Sequence, residues 1–330
     1  MTQTQGRPRV VVLTAPDVPP PHNLEAVRGR AEVVLSDAGH LRQALAGADA
    51  VLLWDFFSSA LSDAWAGADR LRWVHVAAAG VDAMLFDGLR ESDVVLTNAH
   101  GYFDVPIAEF VLASILAHQK QLHGSKDLQR SAVWSHRELT ATNGSRALVV
   151  GTGGIGRATA RLLRAVGMQV RGAGTAAREG DPDFGTVVAS ADLPAHVGWA
   201  DHVVLAAPLT RHTRGLLDGR VLGAMAAHAH LVNVGRGALV DEPELVRALR
   251  EGRIAAASLD VFAVEPLPAG HPFWAMDNVH VSAHMCGDVS GWRDALADQF
   301  LDNLDAFVAG RGLSNVVDKD RGYVPSRCGR

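Results

Sequence analysis

The sequence RALVVGTGGIG at residues 146–156 decides the fold of its half of the chain, because an apolar run passes directly into a GxGxxG motif. In such a motif the first glycine allows a tight turn, the second lets the backbone approach a pyrophosphate, and the third permits close strand–helix contact. A helix-like segment follows at 155–166, and its N–H groups and dipole favour a phosphate. This order of elements predicts a dinucleotide-binding Rossmann domain. The candidate cofactor-binding residues of the loop are Gly151, Gly153, Gly154, Ile155 and Gly156.

Short apolar runs alternate with helix-like stretches on both sides of this motif, which indicates parallel sheets with helices on both faces. We therefore expect an α/β protein of two doubly wound parallel-sheet domains, flavodoxin-like and Rossmann, with a cleft between them. The expected limits are 1–99 with 287–330 for a substrate-binding domain and 100–286 for an NAD(P)-binding domain. The predicted strands are 9–13, 32–35, 50–53, 73–76, 94–96, 146–150, 169–172, 202–206, 230–234, 255–259 and 279–282, and the predicted long helices are 105–122 and 290–309.

The composition of the 330 residues argues against several classes of protein. The formal net charge is -5, without a Lys/Arg cluster on one predicted face, so neither nucleic acid nor an anionic membrane is an expected partner. The two cysteines, Cys286 and Cys328, form neither a CxxC motif nor a zinc-ligand spacing, so we expect no metal and a reducing cytoplasm. The sequence shows no secretory signal and no membrane-spanning apolar run. A small molecule is the expected partner.

The residues after the next predicted strand bear on the choice between NAD and NADP. An NAD-selective site places Asp or Glu about 20 residues beyond the glycine motif, where it accepts from the ribose 2′-hydroxyl. Here the stretch 171–178 reads RGAGTAAR, and no carboxylate occurs before Glu179. Thr175 and Arg178 suit the 2′-phosphate of NADP instead, since a carboxylate would repel that charge. NADP is therefore favoured over NAD, with the alternative that Arg171 and Arg178 are solvated surface charges.

Three predicted strands of the second series each run into a charged or titratable residue. They continue as NVGRG at 233–237, DVFAVEPL at 260–267 and SAHMCG at 282–287. Doubly wound sheets bind ligands at the carboxyl ends of their strands, so we expect Arg236, Glu265 and His284 to lie together, although each alone is more often structural. If the bound dinucleotide delivers a hydride to a carbonyl carbon, negative charge develops on the carbonyl oxygen, which a guanidinium and a proton donor stabilise. A carboxylate beside the imidazole orients it and favours its protonated form.

These segments, together with AAGVD at 78–82, PIAEF at 106–110 and APLT at 207–210, resemble the D-isomer-specific 2-hydroxyacid dehydrogenase family over nearly the whole chain. The resemblance implies that Arg236 binds the substrate carboxylate and carbonyl, that His284 is the proton donor or acceptor, and that Glu265 pairs with His284. It implies an NAD(P)-dependent enzyme that interconverts a small 2-oxo acid and its D-2-hydroxy acid. Glyoxylate and hydroxypyruvate reductases are the expected branch.

The resemblance also assigns residues around the substrate and the nicotinamide. The backbone of Ala79 and Gly80 is expected to hold the substrate carboxylate. Trp54 and Phe57 lie on a loop that the family uses to shape its pocket, with packing as the alternative for either ring. Asp260 is expected to contact the nicotinamide carboxamide. The other residues expected to line the cofactor are Ala207, Pro208, Val234 and Gly287.

Other functions remain open at the level of sequence. Some transcriptional co-repressors share the fold and bind the dinucleotide without catalysis, and formate or phosphite dehydrogenases share it too. Retention of the Arg236, Glu265 and His284 set favours the 2-hydroxyacid enzyme. The family resemblance and the apolar helix 105–122 further predict a homodimer, and the segment Tyr323-Val324-Pro325 is expected to pack over the first domain or reach a partner.

Overall fold

The computed structural model describes residues 6–325, which excludes Cys328, and the chain divides into two compact units. The first unit extends to Tyr102 and resumes at Val289, while the second is Phe103–Asp288. The sequence placed the corresponding divisions after residues 99 and 286. Both units are α/β, as predicted.

Thirteen strands occur within residues 6–325, five in the first unit and eight in the second. The strands are β1 (Arg9–Leu13), β2 (Glu32–Ser36), β3 (Ala50–Leu53), β4 (Trp73–Val76), β5 (Val95–Asn98), β6 (Arg146–Val150), β7 (Gln169–Gly174), β8 (Arg178–Asp181), β9 (Gly185–Ala189), β10 (His202–Leu205), β11 (His230–Asn233), β12 (Ala256–Leu259) and β13 (Val279–Val281).

The α-helices flank these strands and are joined by short 3-10 turns. The helices are α1 (Leu24–Arg28), α2 (Leu41–Ala44), α3 (Ala60–Ala64), α4 (Asp87–Arg90), α5 (Asp104–Gln119), α6 (Leu122–Arg130), α7 (Gly154–Ala165), α8 (Leu193–His196), α9 (Gly219–Ala224), α10 (Glu242–Arg250) and α11 (Trp292–Val308). None of these helices, all within the described part of the chain, is both long and apolar enough to cross a membrane.

The first unit is a parallel sheet in the order β2-β1-β3-β4-β5, the flavodoxin-like order that was predicted. The central strands β1, β3 and β4 are buried along almost their whole length because both of their faces are covered. Each fully buried Val or Leu contributes about 1.5–3 kcal/mol of hydrophobic stabilisation. Trp73 of β4 stacks on Phe300 of α11 with ring centroids 5.2 Å apart, so the C-terminal helix completes this core.

The C-terminal segment after α11 pairs with the edge strand β5. Val317 donates its N–H to the carbonyl oxygen of Leu96 at 2.8 Å, and Val316 bridges Thr97 in antiparallel fashion. Farther along, the ammonium group of Lys319 donates to the carbonyl oxygens of Leu89 and Val94 at 3.0 and 3.1 Å. The tail therefore covers an edge that would otherwise be open to pairing.

The second unit is a sheet in the order β13-β12-β11-β10-β6-β7-β9-β8, parallel except for the antiparallel edge strand β8. Strand order reverses between β6 and β10, where a Rossmann sheet binds its ligand. The sequence analysis missed β8 and β9. The sequence REGD of β8 has no apolar alternation, and its pairing with β9 depends on the turn between them.

The long helix predicted at 105–122 is shorter in the structure. It ends at Gln119 because Gln121 adopts a left-handed conformation with φ 47°, and a separate helix, α6, begins at Leu122. Apolar side chains surround most of α5, with Ile107, Val111 and Ile115 buried against the unit and Val105 exposed.

Candidate active site

The glycine loop after β6 is shaped for a phosphate. Gly151 has a φ of 112°, and a Cβ there would lie 2.6 Å from the carbonyl oxygen of Ala206 and the nitrogen of Ala207. At Gly156 a Cβ would overlap the Gly151 carbonyl oxygen, so the helix α7 can begin this close only with glycine. By contrast, no protein atom lies within 4 Å of a Cβ on Gly153. The loop thus leaves open space before the helix N-terminus, which fits a dinucleotide pyrophosphate.

Asp104, at the start of α5, was not identified from the sequence. Its carboxylate lies so close to Gly154 that a side chain at Gly154 would overlap it. A carboxylate beside the first turn of α7 is favoured by the helix dipole. The only sequence signal was the acidic residue two positions before Pro106, which is typical of a helix start.

The end of β7 lies against the glycine loop, where a Rossmann domain holds the adenosine ribose. A Cβ on Gly174 would lie 3.1 Å from Oγ1 of Thr152, and Thr175 beyond it is exposed. Arg178 opens β8 and forms an ion pair with Asp181, with Nη2 2.8 Å from Oδ2. Arg171 behaves differently, because its guanidinium lies 4.2 Å from the ring centroid of Trp199. Of the two arginines considered from the sequence, Arg178 follows the strand end and Arg171 lies within the strand.

The loops after β10, β11 and β12 approach one another because glycines stand at their contacts. A Cβ on Gly235 would lie 2.7 Å from the Leu239 side chain and 3.0 Å from the carbonyl oxygen of Ala207. A Cβ on Gly237 would overlap the backbone of Phe262. The loop that carries Arg236 is therefore held between the loops of its neighbouring strands.

His284 and Glu265 form the pair that the sequence suggested. Nδ1 of His284 lies 2.6 Å from Oε2 of Glu265, and the other carboxylate oxygen accepts the N–H of Phe262 at 2.8 Å. Burial by itself raises the pKa of Glu265. The hydrogen bonds from His284 and Phe262 and the positive charges of His284 and Arg236 outweigh burial, so that this pKa is lowered. Glu265 is thus held ionised and fixes the orientation of the imidazole through Nδ1.

Hydrogen bonds with Asn233 and Gly235 hold Arg236 at the end of β11. Its carbonyl oxygen accepts from the Asn233 amide at 3.1 Å, and its Nη1 donates to the carbonyl oxygen of Gly235 at 2.8 Å. Asn233 also accepts the N–H of Gly235 at 3.1 Å. The guanidinium lies near enough to Glu265 to lower the pKa of that carboxyl. Arg236, Glu265 and His284 therefore lie in one place at consecutive strand ends.

Asp260 supports the loop that carries His284. It is fully buried, and its Oδ1 accepts from the Ser282 hydroxyl at 2.6 Å and from the N–H of Met285 at 3.0 Å. Its Oδ2 accepts the N–H of Cys286 at 3.0 Å, and its carbonyl oxygen accepts the N–H of His284 at 2.8 Å. These bonds hold His284 at a φ of 52°, a conformation that a non-glycine residue adopts only when its surroundings impose it. The expected contact of Asp260 with the nicotinamide stays a prediction.

The other residues expected to line the cofactor lie on the same edge of the second unit. Ala207 and Pro208 follow β10, Val234 follows β11, and Gly287 follows the His284 loop. Ala207, Val234 and Gly287 are buried, and a Cβ on Gly287 would lie 2.5 Å from the Phe103 ring. Gly287 is thus required for packing within this unit, and its contact with the cofactor stays a prediction.

Four expected substrate residues belong to the first unit. Ala79 and Gly80 follow β4, and the Asn98 amide donates to the Ala79 carbonyl oxygen. Trp54 is buried, and its indole N–H donates to the carbonyl oxygen of Pro19 at 2.8 Å, which supports the packing alternative for this ring. The Phe57 side chain is 69% exposed, so it suits a ligand contact better than Trp54 does.

The chain matches one protein-family model, described as "D-isomer specific 2-hydroxyacid dehydrogenase, NAD binding domain", over residues 112–286. Among curated proteins it is 31% identical to a glyoxylate/hydroxypyruvate reductase A of Arabidopsis thaliana, covering 89% of this chain and 88% of that protein.

Two similar solved structures contain a nicotinamide cofactor. A D-isomer specific 2-hydroxyacid dehydrogenase of Xanthobacter autotrophicus, in complex with NADPH and MES, is 31% identical with a TM-score of 0.82, over 96% of this chain and 100% of that one. An NADPH-dependent glyoxylate/hydroxypyruvate reductase of Sinorhizobium meliloti, in complex with NADP and sulfate, is 28% identical with a TM-score of 0.82 and the same coverage.

Proposed function

Because the chain belongs to the D-isomer specific 2-hydroxyacid dehydrogenase family, we propose that it reduces a small 2-oxo acid to the D-2-hydroxy acid with NADPH. Its family makes it an NAD(P)-dependent oxidoreductase acting on CH–OH groups. Glyoxylate and hydroxypyruvate are the proposed substrates, by analogy with the relatives that carry those names. The observation that carries the proposal is the 2.6 Å pair of His284 and Glu265 beside Arg236.

The side chains of the site divide the work of carbonyl reduction. A nicotinamide dinucleotide held at the glycine loop after β6 would supply the hydride for the carbonyl carbon. His284, held through Nδ1, donates the Nε2 proton to the oxygen that becomes negative, and ionised Glu265 stabilises the protonated ring before transfer. Arg236 binds the substrate carboxylate and the carbonyl oxygen by paired N–H donors. Ala79, Gly80 and Phe57 are proposed to complete substrate recognition, and Asp260 to contact the carboxamide.

The activity is tested by NADPH oxidation with a panel of glyoxylate, hydroxypyruvate, pyruvate and larger 2-oxo acids. His284→Ala should lower turnover by about 10²–10⁴-fold with little change in cofactor affinity, because a positioned acid contributes about that much. His40→Ala, at an exposed histidine of the first unit, is the matched control. Absence of turnover with every acid would favour a ligand-binding co-repressor, and reduction of NADP⁺ by formate or phosphite would favour those dehydrogenases.

NADP is proposed over NAD because Thr175 and Arg178, not a carboxylate, follow β7. Two neighbours solved with NADPH or NADP support the choice by analogy. Arg178→Ala should weaken NADPH by about 10–100-fold, the worth of one charge-assisted hydrogen bond, and leave NADH nearly unaffected. Thr175→Asp should also weaken NADPH binding, because its carboxylate repels the 2′-phosphate, and should strengthen NADH binding by accepting from the ribose hydroxyls. Gly174→Asp should do the same once Thr152 shifts by a few tenths of an ångström. A wild-type preference for NADH would overturn the assignment.

A homodimer is also proposed. Large apolar side chains are exposed at Val105 of α5, Leu122 of α6 and Trp134 after α6, and Trp134 is 99% exposed. Aromatic residues such as an exposed tryptophan are enriched at protein interfaces. Sedimentation at micromolar concentration should give twice the 35.0 kDa of one chain. A monomer under those conditions would contradict this proposal, and Trp134→Ser is expected to weaken the dimer without unfolding the chain.

A further inference from the structure

Asp181 is a buried carboxylate that holds two arginines at the sheet edge of the second unit, and its side chain is only 2% exposed. Arg157 donates from Nη1 and Nη2 to its two oxygens, each at 3.0 Å. Arg178 donates to Oδ2 from Nε at 2.9 Å and from Nη2 at 2.8 Å. The N–H groups of Asp183 and Phe184 donate to Oδ1 at 3.1 and 3.3 Å.

The contacts of Asp181 are with the protein itself. Six N–H donors converge on a carboxylate that has about four lone-pair sites. Burial raises the pKa of Asp181, but the bonds from Arg157 and Arg178 and from the two backbone groups outweigh it and hold the pKa well below its usual range. Asp181 is therefore ionised and saturated, so it is not a substitute for the ribose-binding carboxylate of NAD-selective domains.

We propose that Asp181 is the positioning residue for cofactor selectivity, because it accepts hydrogen bonds from Nε and Nη2 of Arg178 and thereby orients the guanidinium toward the 2′-phosphate of NADP. The inference rests on the proposed NADP preference. A guanidinium has five N–H donors, and the bonds from Nε and Nη2 to Asp181 use two of them, which leaves three for a phosphate. The Arg178 side chain is 38% exposed, so these donors are accessible to a ligand.

The bonds to Asp181 act by restricting the conformational entropy of the Arg178 side chain. Arg178 follows a three-residue connection, 175–177, whose residues are exposed, and a long arginine side chain there samples many rotamers unless it is held. Fixing it before the cofactor arrives lowers the ordering cost on binding. Asp181 and Asp183 face Arg157, Arg161 and Arg178, so two negative charges meet three positive ones and the cluster retains positive charge for the phosphate.

A purely electrostatic role for Asp181 predicts the opposite sign. If the carboxylate only neutralised Arg178, its removal would strengthen NADPH binding. If it only stabilised the β8–β9 turn through Asp183 and Phe184, its removal would change NADPH and NADH alike. Positioning alone predicts a selective loss of NADPH that requires Arg178.

The experiment measures dissociation constants of NADPH and NADH by fluorescence titration of the full chain. Asp181→Asn should weaken NADPH by about 3–10-fold, the effect of freeing one long side chain, and change NADH by less than about 2-fold. In an Arg178→Ala background the same substitution should change NADPH no further. Asp183→Asn is the matched control, because it removes ion pairs of the same turn with Arg157 and Arg161 but leaves the bonds to Arg178 intact, so the NADPH/NADH ratio should stay as in the wild type.

Each other outcome is decisive. Tighter NADPH binding, equal loss of both cofactors, or an undiminished effect of Asp181→Asn in the Arg178→Ala background would overturn the positioning role. If Arg178→Ala itself spares NADPH, the proposed NADP site fails rather than the positioning step alone. Should Asp181→Asn not fold, Asp181→Glu takes its place, since it keeps the charge and moves the acceptor by one methylene. The same selective loss is then expected, and an unchanged ratio refutes the proposal.

Discussion

Buried histidines should make the protein lose stability as the pH falls from 7.5 to 5.0. His75 in β4 is fully buried, with Nδ1 2.8 Å from the Thr97 hydroxyl, and burial lowers its pKa to about 3. His202 in β10 lies beside His230 and the Gln119 amide, and burial lowers its pKa to about 4. The pKa of His230 is lowered well below the usual value for the same reason. His75 and His202 therefore remain neutral in the folded state at pH 5, and the lowered pKa of His230 acts in the same direction.

The direction and size follow from proton linkage. An unfolded histidine has a pKa of about 6.5, so below that pH the unfolded chain gains protons that the folded chain does not bind, and the free energy of unfolding falls. Between pH 7.5 and 5.0 each histidine with a folded pKa near 4 or below lowers the free energy of unfolding by about 2 kcal/mol. His75 in the first unit and His202 in the second together lower it by about 4 kcal/mol, and His230 adds to the effect in the second unit. Carboxylates with lowered pKa, such as Asp201, lose their contribution only nearer pH 4 and below.

The assay is urea unfolding followed by circular dichroism at pH 7.5, 6.5, 5.5 and 5.0, with a two-unit fit because the units need not unfold together. His202→Gln should reduce the pH-dependent part of the unfolding free energy by about 2 kcal/mol, whatever it does to stability at pH 7.5. His136→Gln, at an exposed histidine, is the control and should leave the pH dependence unchanged. An unfolding free energy that is equal at pH 7.5 and 5.0 would refute the reasoning.

Two substitutions in the site, each with its measurement, and a truncation of the tail give three further tests. Asp260→Asn should lower the free energy of unfolding by about 1.5–3 kcal/mol and reduce turnover, because an amide cannot accept from both sides of the His284 loop. Ser282→Ala removes only one hydroxyl donor and should have the smaller effect. Equal effects of the two variants in thermal melts and initial rates would contradict this. Glu265→Gln should shift the loss of reductase activity to lower pH, since the protonated ring loses its counter-charge, and an unchanged kcat/KM profile would show that Glu265 does not act through His284. Removal of residues from Val316 onward should lower the melting temperature by exposing β5, and wild-type stability of the truncated chain would show that the tail contributes nothing.

The local pattern of the sequence was sufficient where a short, mostly apolar run forms a strand that is buried on both faces. The strands Arg9–Leu13, Ala50–Leu53, Trp73–Val76 and Arg146–Val150 were predicted with the bounds that the structure shows. Each is a four- or five-residue run buried on both faces, and such burial favours apolar residues at nearly every position of the strand. The glycine motif was recognisable for a related reason, because its steric requirements act on residues next to one another in the chain.

The candidate catalytic set could also be located by rule, because parallel strands deliver their carboxyl ends to one edge. Arg236, Glu265 and His284 follow β11, β12 and β13, and the structure brings them together. The fold class, the family and the enzyme class were therefore all within reach of the sequence.

Contacts between distant residues were decided by the tertiary structure alone. Asp181 receives Arg157 from a helix 24 residues earlier, and Asp104 reaches the glycine loop from the start of α5. The edge strand β8 and the end of α5 at Gln119 have no periodic signal, because pairing with β9 and a left-handed Gln121 determine them. Apolar periodicity records which face of an element is buried. It does not record which polar groups meet across the fold, and those meetings set the conformation of His284 and the surroundings of Arg178.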